Sequence, residues 1–334
     1  MIFTTMNDFY LFKRGTIQRK NGTVVLESET EITVIPVEQI HSLYVFGEVT
    51  INKRLLERLS HYQITMHFFN YYGTLVGSYS PENHRPVGKI LFNQVSALKN
   101  EDRRHQIAHA IQHYSIKNSL ALLKYYHKRG IDLSAQIEKI EEIVEEMTHT
   151  THVEDVLLCE ARAKKIYYSG FDLILKDTPF SFEKRTVLPP ENEVNSLMSF
   201  GYYLLYGVIL SELNTSRLYA ELPFIHSDIR SGHGLQYDLA DIYKPIFVDR
   251  LFIGLIRRRS IHADDFERNE NQGIYLSENG KKKFVSEFNE MLQRKVHYGN
   301  RERSYRSVIW HDIHRLIYHL EYPEDPLILY LHEW

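Results

Sequence analysis

The chain has 334 residues, 43% of them hydrophobic and 25% charged, with a net charge of −3. That length suits one large or two ordinary globular domains. The charge balance excludes polyanion binding by global attraction, so any nucleic-acid contact needs a local basic patch. Cys159 is the single cysteine, which excludes an intramolecular disulfide or a cysteine-cluster zinc site and fits a reducing, cytoplasmic compartment. The N-terminus lacks a basic region followed by an apolar run, so no signal peptide is expected. No uninterrupted apolar run of about 18 residues occurs, so no membrane span is expected.

Residues 1–80 read as β. Short β-branched and aromatic runs are punctuated by Asn21-Gly22, a two-residue hairpin signal, and by Pro36 and Gly47. Leu55, Leu56 and Leu59 carry the spacing of one short helix inside this region. The expectation is a small antiparallel β-sandwich-like domain whose job is packing or pairing, since it lacks clustered acids and phosphate-binding glycine loops. Residues 81–93 contain two prolines and a glycine that interrupt both periods and read as a linker. From Asn93 onward the pattern is helical, giving an α+β chain with a larger all-α domain over 94–334.

The first long helix ends near Gly130, a C-cap signal. It carries His105, His109 and His113 at i, i+4 and i+8, which reads as a polar or half-buried face because no acid completes a metal set there. Residues 134–147 are strongly acidic and read as a solvated helix face. In the next helix Glu160 falls in an apolar stretch beside Cys159. A carboxylate there is costly unless it is paired, hydrogen-bonded or metal-bound, and Lys164 at i+4 offers one partner. The loop over 176–190 joins Phe180 and Phe182 to Lys184 and Arg185, chemistry suited to a nucleic-acid backbone. Residues 191–214 form a long apolar core helix.

The stretch 221–245, ELPFIHSDIRSGHGLQYDLADIYKP, delivers His226 and then, after a small polar turn, Asp238 and Asp241. On a helix, i and i+3 share a face, so the histidine is able to face a carboxylate pair. Nitrogen and oxygen donors of this kind suit Mn²⁺ or Mg²⁺. Equally, His226 is a loop histidine and the aspartates cap and solubilise a helix. The segment 281–306 holds eight Lys or Arg against three acids, which suits phosphate contact by counterion release or a solvated helix face. The final helix carries His311, His314 and His319, which read as structural.

Taken in order, these blocks resemble a known family. IPVEQIHSLYVFG at 35–47, the Lys117-Asn118 pair, Glu160 followed by Tyr167, Tyr168 and Phe171, FEKRT at 182–186, Pro189-Pro190, NSLMSFGYYLL at 195–205 and the block at 222–245 are similar to the CRISPR-associated spacer-acquisition integrases. These are the first-numbered proteins of that system, in stand-alone form. The resemblance covers almost the full length. It implies a β-sandwich followed by a helical domain in which Glu160, His226 and Asp241 bind a Mg²⁺ or Mn²⁺ ion and Asp238 supports them. Asp241 stands where many relatives carry Glu, and His233 is extra. The implied chemistry is transesterification joining the 3′-hydroxyl ends of short double-stranded DNA fragments into a repeat array, with His226 as ligand or as general acid. The implied assembly is a homodimer, two of which are bridged by the small second CRISPR-associated protein. Candidate DNA-gripping residues are Lys164, Arg185, Lys244, Lys281, Lys282, Arg301 and Arg303. The alternatives are a non-catalytic DNA-binding scaffold and a structure-specific DNA nuclease working alone.

Overall fold

The computed structural model describes every residue except 1–6, 82–87, 227–233 and 271. It divides into two compact units, Met1–Arg85 and Pro86–Trp334.

Among the described residues the first unit holds eight strands and one α-helix: β1 (Asn7–Leu11), β2 (Gly15–Lys20), β3 (Thr23–Glu27), β4 (Ile32–Ile35), β5 (Ile40–Val45), β6 (Val49–Ile51), α1 (Lys53–His61), β7 (Thr65–Phe69) and β8 (Leu75–Tyr79). They form two four-stranded sheets, ordered β1-β5-β7-β8 and β4-β3-β2-β6. The hairpin between β2 and β3 turns at Asn21 (φ 47°) and Gly22 (φ 84°), the two left-handed residues its type requires. Pairing is antiparallel across β2, β3 and β4 and across β7 and β8. The purely antiparallel pattern expected from the sequence gives way elsewhere: β1, β5 and β7 run parallel, as do β2 and β6. The physical reason is connection length. Parallel neighbours need a crossover, and α1 supplies the one between β5 and β7. One core, including Ile17, Val24, Leu43, Leu55, Leu59 and Met66, draws on both sheets and α1.

The second unit begins with α2 (Gly88–Lys99) and α3 (Glu101–His127). Helix therefore starts five residues before Asn93, inside the stretch read as linker, and breaks once. Asn100 causes the break by accepting the Arg103 N–H at 2.9 Å as the cap of α3. Then follow α4 (Ser134–Met147), α5 (Val153–Ser169), α6 (Phe171–Leu175), α7 (Glu193–Ser216) and α8 (Leu235–Tyr243). α8 leads through a π-helical turn, Lys244–Asp249, into α9 (Arg250–Arg257). Two small hairpins, β9 (Phe266–Arg268) with β10 (Ile274–Leu276) and β11 (Lys295–Tyr298) with β12 (Arg301–Ser304), flank α10 (Glu278–Gln293), and α11 (Tyr305–Glu321) follows. These hairpins modify the all-α expectation only at its edges.

α7 is long and apolar enough to cross a membrane, but 83% of its most apolar window is buried inside the unit. It is the core helix, and α8 packs between it and α3. Pro245 does not end the helical run that α8 begins. It lacks the N–H that an α-helical bond would need, and the wider π turn carries the chain onward.

Candidate metal centre

α5 holds Glu160 on its buried side, 6% exposed, and α8 holds Asp241, 2% exposed. His226 arrives on the chain leading into α8. Glu160, His226 and Asp241 each offer a ligand atom within 4.8 Å of the others. Among the described residues this is the one cluster of His, Cys, Asp or Glu able to hold a metal ion.

The approach to His226 is built by backbone capture. Gln94 of α2 donates to the Tyr219 and Leu222 carbonyls at 2.9 and 3.1 Å, and Arg104 of α3 donates to the Phe224 carbonyl at 2.9 Å. Gly234 lets the helix start sit against this segment, since a Cβ there would meet Pro223 Cγ at 2.5 Å. Asp238, fully buried, then accepts the N–H groups of Phe224 (2.7 Å), Ile225 (3.0 Å) and His226 (3.2 Å). It also binds His226 Nδ1 at 2.6 Å. That pairing raises the imidazole's pKa, against the lowering effect of burial, and leaves Nε2 as the ring nitrogen available to a ligand. A carboxylate that orients a metal-ligating histidine in this way is a common supporting arrangement.

Lys164 Nζ lies between the two acids, in contact with Glu160 Oε1 and 3.1 Å from Asp241 Oδ2. Lys244 Nζ is 2.5 Å from Asp241 Oδ1. Burial pushes the Asp241 carboxyl up, but the ammonium groups of Lys164 and Lys244 outweigh it and hold the group well below the usual carboxylate range. Gln112 Nε2 donates to Asp241 Oδ2 at 3.3 Å and Ser115 to the Asp241 carbonyl at 3.0 Å, both from α3. Two carboxylate oxygens and an imidazole nitrogen fit a Mg²⁺ or Mn²⁺ ion by donor type, and the two carboxylates already hold the Lys164 ammonium between them.

The remaining candidates scatter. Arg185 spends its guanidinium inside the fold, on the Thr186 carbonyl (2.6 Å), Asn195 Oδ1 (3.1 Å) and Ser199 Oγ (2.9 Å). Lys281 is buried at 7% exposure, and Lys282 pairs with Glu278. Arg301 and Arg303 stand on β12, away from α5 and α8 in the chain. Asn118 is structural, donating to the Ile242 and Tyr330 carbonyls at 2.9 and 3.0 Å. His233 lies outside the described residues. His105, His109 and His113 line a groove with His319 but gather no metal-binding set.

Sequence reasoning missed a buried support behind Lys244. Its ammonium lies 5.0 Å from the Tyr202 ring centre and 5.2 Å from that of Tyr206. Tyr202 and Tyr167 donate to Asp249 at 2.7 and 2.8 Å. Burial pushes the Asp249 carboxyl up to about 7, though both tyrosines oppose the shift. The only sequence signal was an acid inside an apolar helix.

Comparison with known proteins adds a consistent set of likenesses. The family described as CRISPR associated protein Cas1 matches residues 9–290. A relative from Thermodesulfovibrio yellowstonii, named CRISPR-associated endonuclease Cas1 2, is 34% identical over 318 residues, 95% of this chain and 96% of that protein. A solved Cas1 protein from Thermotoga maritima superposes with a TM-score of 0.86 at 33% identity, covering 98% of this chain and all of that one. Two solved structures share the fold at 21% identity. A casposase bound to integration product has a TM-score of 0.86, with 97% and 93% of the chains covered. A chain of a Cas6-RT-Cas1–Cas2 complex has a TM-score of 0.85, with 100% and 37% covered.

Proposed function

This chain belongs to the Cas1 family of CRISPR-associated endonucleases, and from that premise we propose that it joins 3′-hydroxyl ends of short DNA fragments into a repeat array, with Glu160, His226 and Asp241 as ligands of Mn²⁺ or Mg²⁺. The observation that carries this reading is the convergence of three donor atoms within 4.8 Å. They come from α5, from the segment before α8 and from α8 itself.

The reaction is an exchange of phosphodiesters. The 3′-hydroxyl gives up its proton as its oxygen bonds to phosphorus, the target's P–O3′ bond breaks, and the departing oxygen takes up a proton. A cation held by Glu160, His226 and Asp241 would supply Lewis acidity to the phosphoryl group. The protein's own groups prepare the rest. Asp241 stays ionised under two ammonium groups. Asp238 fixes the His226 tautomer and turns Nε2 outward. Lys164 and Lys244 place positive charge where a phosphodiester must approach, which favours its binding.

The test is strand transfer of a short duplex into supercoiled DNA, with Mn²⁺, Mg²⁺ or chelator. Glu160→Gln and His226→Ala are expected to keep the fold and lose at least a hundredfold in transfer. Full activity in chelator, or in both variants, rules the assignment out.

The proposal extends to assembly. The β-rich residues 1–80 serve dimerisation and 94–334 form the catalytic domain. Two dimers are bridged by the small second CRISPR-associated protein, Cas2. Two insertions at the two ends of one repeat require two active sites, and the described residues of one chain hold one such set. A fold shared with a chain of a complex that contains Cas2 supports the same reading. Light scattering of the chain alone and with that partner tests it, with a dimer and then a larger assembly expected.

A further inference from the structure

A second cluster of charged groups lies on the same unit, beyond the metal centre. Arg250 and Arg258 bracket α9 at positions i and i+8 with Gly254 between them. A Cβ at Gly254 would sit 3.1 Å from Arg258 Nη1, so the glycine keeps the floor between the two guanidinium groups open. The C-terminal turn of α3, with Tyr125 and Tyr126, forms one wall. α10 and the residue that caps its end, Arg294, form the other. The enclosed cleft is about 110 Å³, several times the ~15 Å³ that one water molecule needs.

Its charge is unbalanced. Three guanidinium groups line it against one carboxylate, Glu287, which lies 3.1 Å from Arg258. Arg250 is fixed by ring faces instead, 3.9 Å from the Trp334 ring centre and 5.2 Å from that of Tyr125. Arg294 has no carboxylate within 4 Å among the described residues. Planar guanidinium forks held at the walls of a small polar cleft match the oxygens of a tetrahedral oxyanion. The spacing suits one continuous ligand. Ser115 of α3 touches Asp241, and Tyr125 stands ten residues further along the same helix, a rise of ~15 Å.

We propose that the cleft between α3, α9 and α10 is an oxyanion seat that takes a backbone phosphate of DNA engaged at the metal centre. The inference rests on the proposed action on DNA. The seat is sequence-independent, since phosphate contacts position a duplex without reading it. It needs no divalent cation.

The test is equilibrium binding of a fluorescent duplex in chelator across a salt series, using the full chain. Two variants carry opposite expectations, and both change rim residues. Arg294→Gln should weaken binding about fivefold at moderate salt and flatten the slope of log affinity against log salt by about one. Glu287→Gln removes the carboxylate that competes for Arg258 and should strengthen binding several-fold. Melting temperature checks that each variant folds. Unchanged affinity and slope in both rim variants overturns the proposal. In a second arm, inorganic phosphate is compared with chloride at equal ionic strength in a thermal-shift assay. Protection by phosphate that depends on Arg294, with DNA binding unaffected by either variant, also overturns it, because the cleft then serves free phosphate. Failure of the wild type to transfer strands in Mn²⁺ would sink the reading of the metal centre while leaving the binding result standing.

Discussion

Asp238 Oδ1 accepts both the backbone N–H and the ring Nδ1–H of His226, at 3.2 and 2.6 Å. One carboxylate thus fixes where the histidine's backbone sits and which ring nitrogen faces outward. Its other oxygen holds Phe224 and Ile225. Asp238→Asn should therefore lower Mn²⁺ affinity about 10- to 100-fold, as loss of an orienting carboxylate does, while the protein still folds. Asp238→Ala should also destabilise it, by about 1–3 kcal/mol for each buried N–H left unsatisfied. Calorimetric metal titration and thermal melting separate the two effects.

The same pair sets a pH dependence. His226 has its pKa raised above 6.5 by Asp238, and only the neutral ring ligates a metal. Cation affinity should therefore climb as pH rises through a midpoint above 6.5. Without metal the sign is opposite for folding: the His226–Asp238 pair stabilises fully below the unfolded pKa and is lost as pH rises through the folded one. In Asp238→Asn both midpoints should move down toward the ordinary histidine value. Metal titrations at several pH values check the first, and urea midpoints the second.

Asp241 is the buried counterion for two half-buried ammonium groups, Lys164 and Lys244. Asp241→Asn should destabilise the metal-free protein, because it leaves both ammonium groups without this counterion. Adding Lys244→Met should recover part of that loss, since it removes one of the stranded charges. A double-mutant cycle in urea reads the coupling directly.

Asp249 has a pKa pushed up to about 7 by burial. Its carboxyl ionises near pH 4 in the unfolded chain and only near pH 7 in the fold. Stability should therefore fall as pH rises from about 4 toward 7 and level off above that, the direction for an acid with a raised pKa. Asp249→Asn should flatten this slope. Urea midpoints at pH 5 and pH 8 are the measurement.

The order of blocks made the candidate triad legible: an acid in an apolar helix, then a histidine, then two acids on one helical face, and the structure brings ligand atoms of Glu160, His226 and Asp241 within 4.8 Å of one another. Ranking Asp238 below Asp241 followed from that resemblance, and the hydrogen bonds that occupy Asp238 give it a physical basis. The rest was hidden for reasons of distance. Lys164 was readable as an i+4 partner of Glu160, yet it also reaches Asp241, 77 positions away, and no local pattern carries that. Arg185 looked like a DNA contact because its neighbours are basic and aromatic, but nearby carbonyl and amide oxygens claim it. Basic residues over 281–306 divide between surface and interior, with Arg306 turned inward onto Glu212 at 2.8 Å. Composition alone sees only their charge. Parallel strand pairing in the first unit was likewise unreadable, because alternation reports which face is buried and not which way a neighbour runs.

The π-helical turn from Lys244 to Asp249 acts as a phase shifter. Its backbone bonds span one residue more than those of the α-helix it interrupts, which sets the faces of α8 and α9 in different phase along the sequence. On one side of the offset, Lys244 meets Asp241; on the other, Asp249 meets Tyr167 and Tyr202. Deleting a single residue between Lys244 and Asp249 would change which residues on the two sides of the turn face the same way. Either the metal-facing acids or the buried tyrosine-carboxylate support would then point the wrong way. Such a deletion should abolish metal binding even though it removes no ligand.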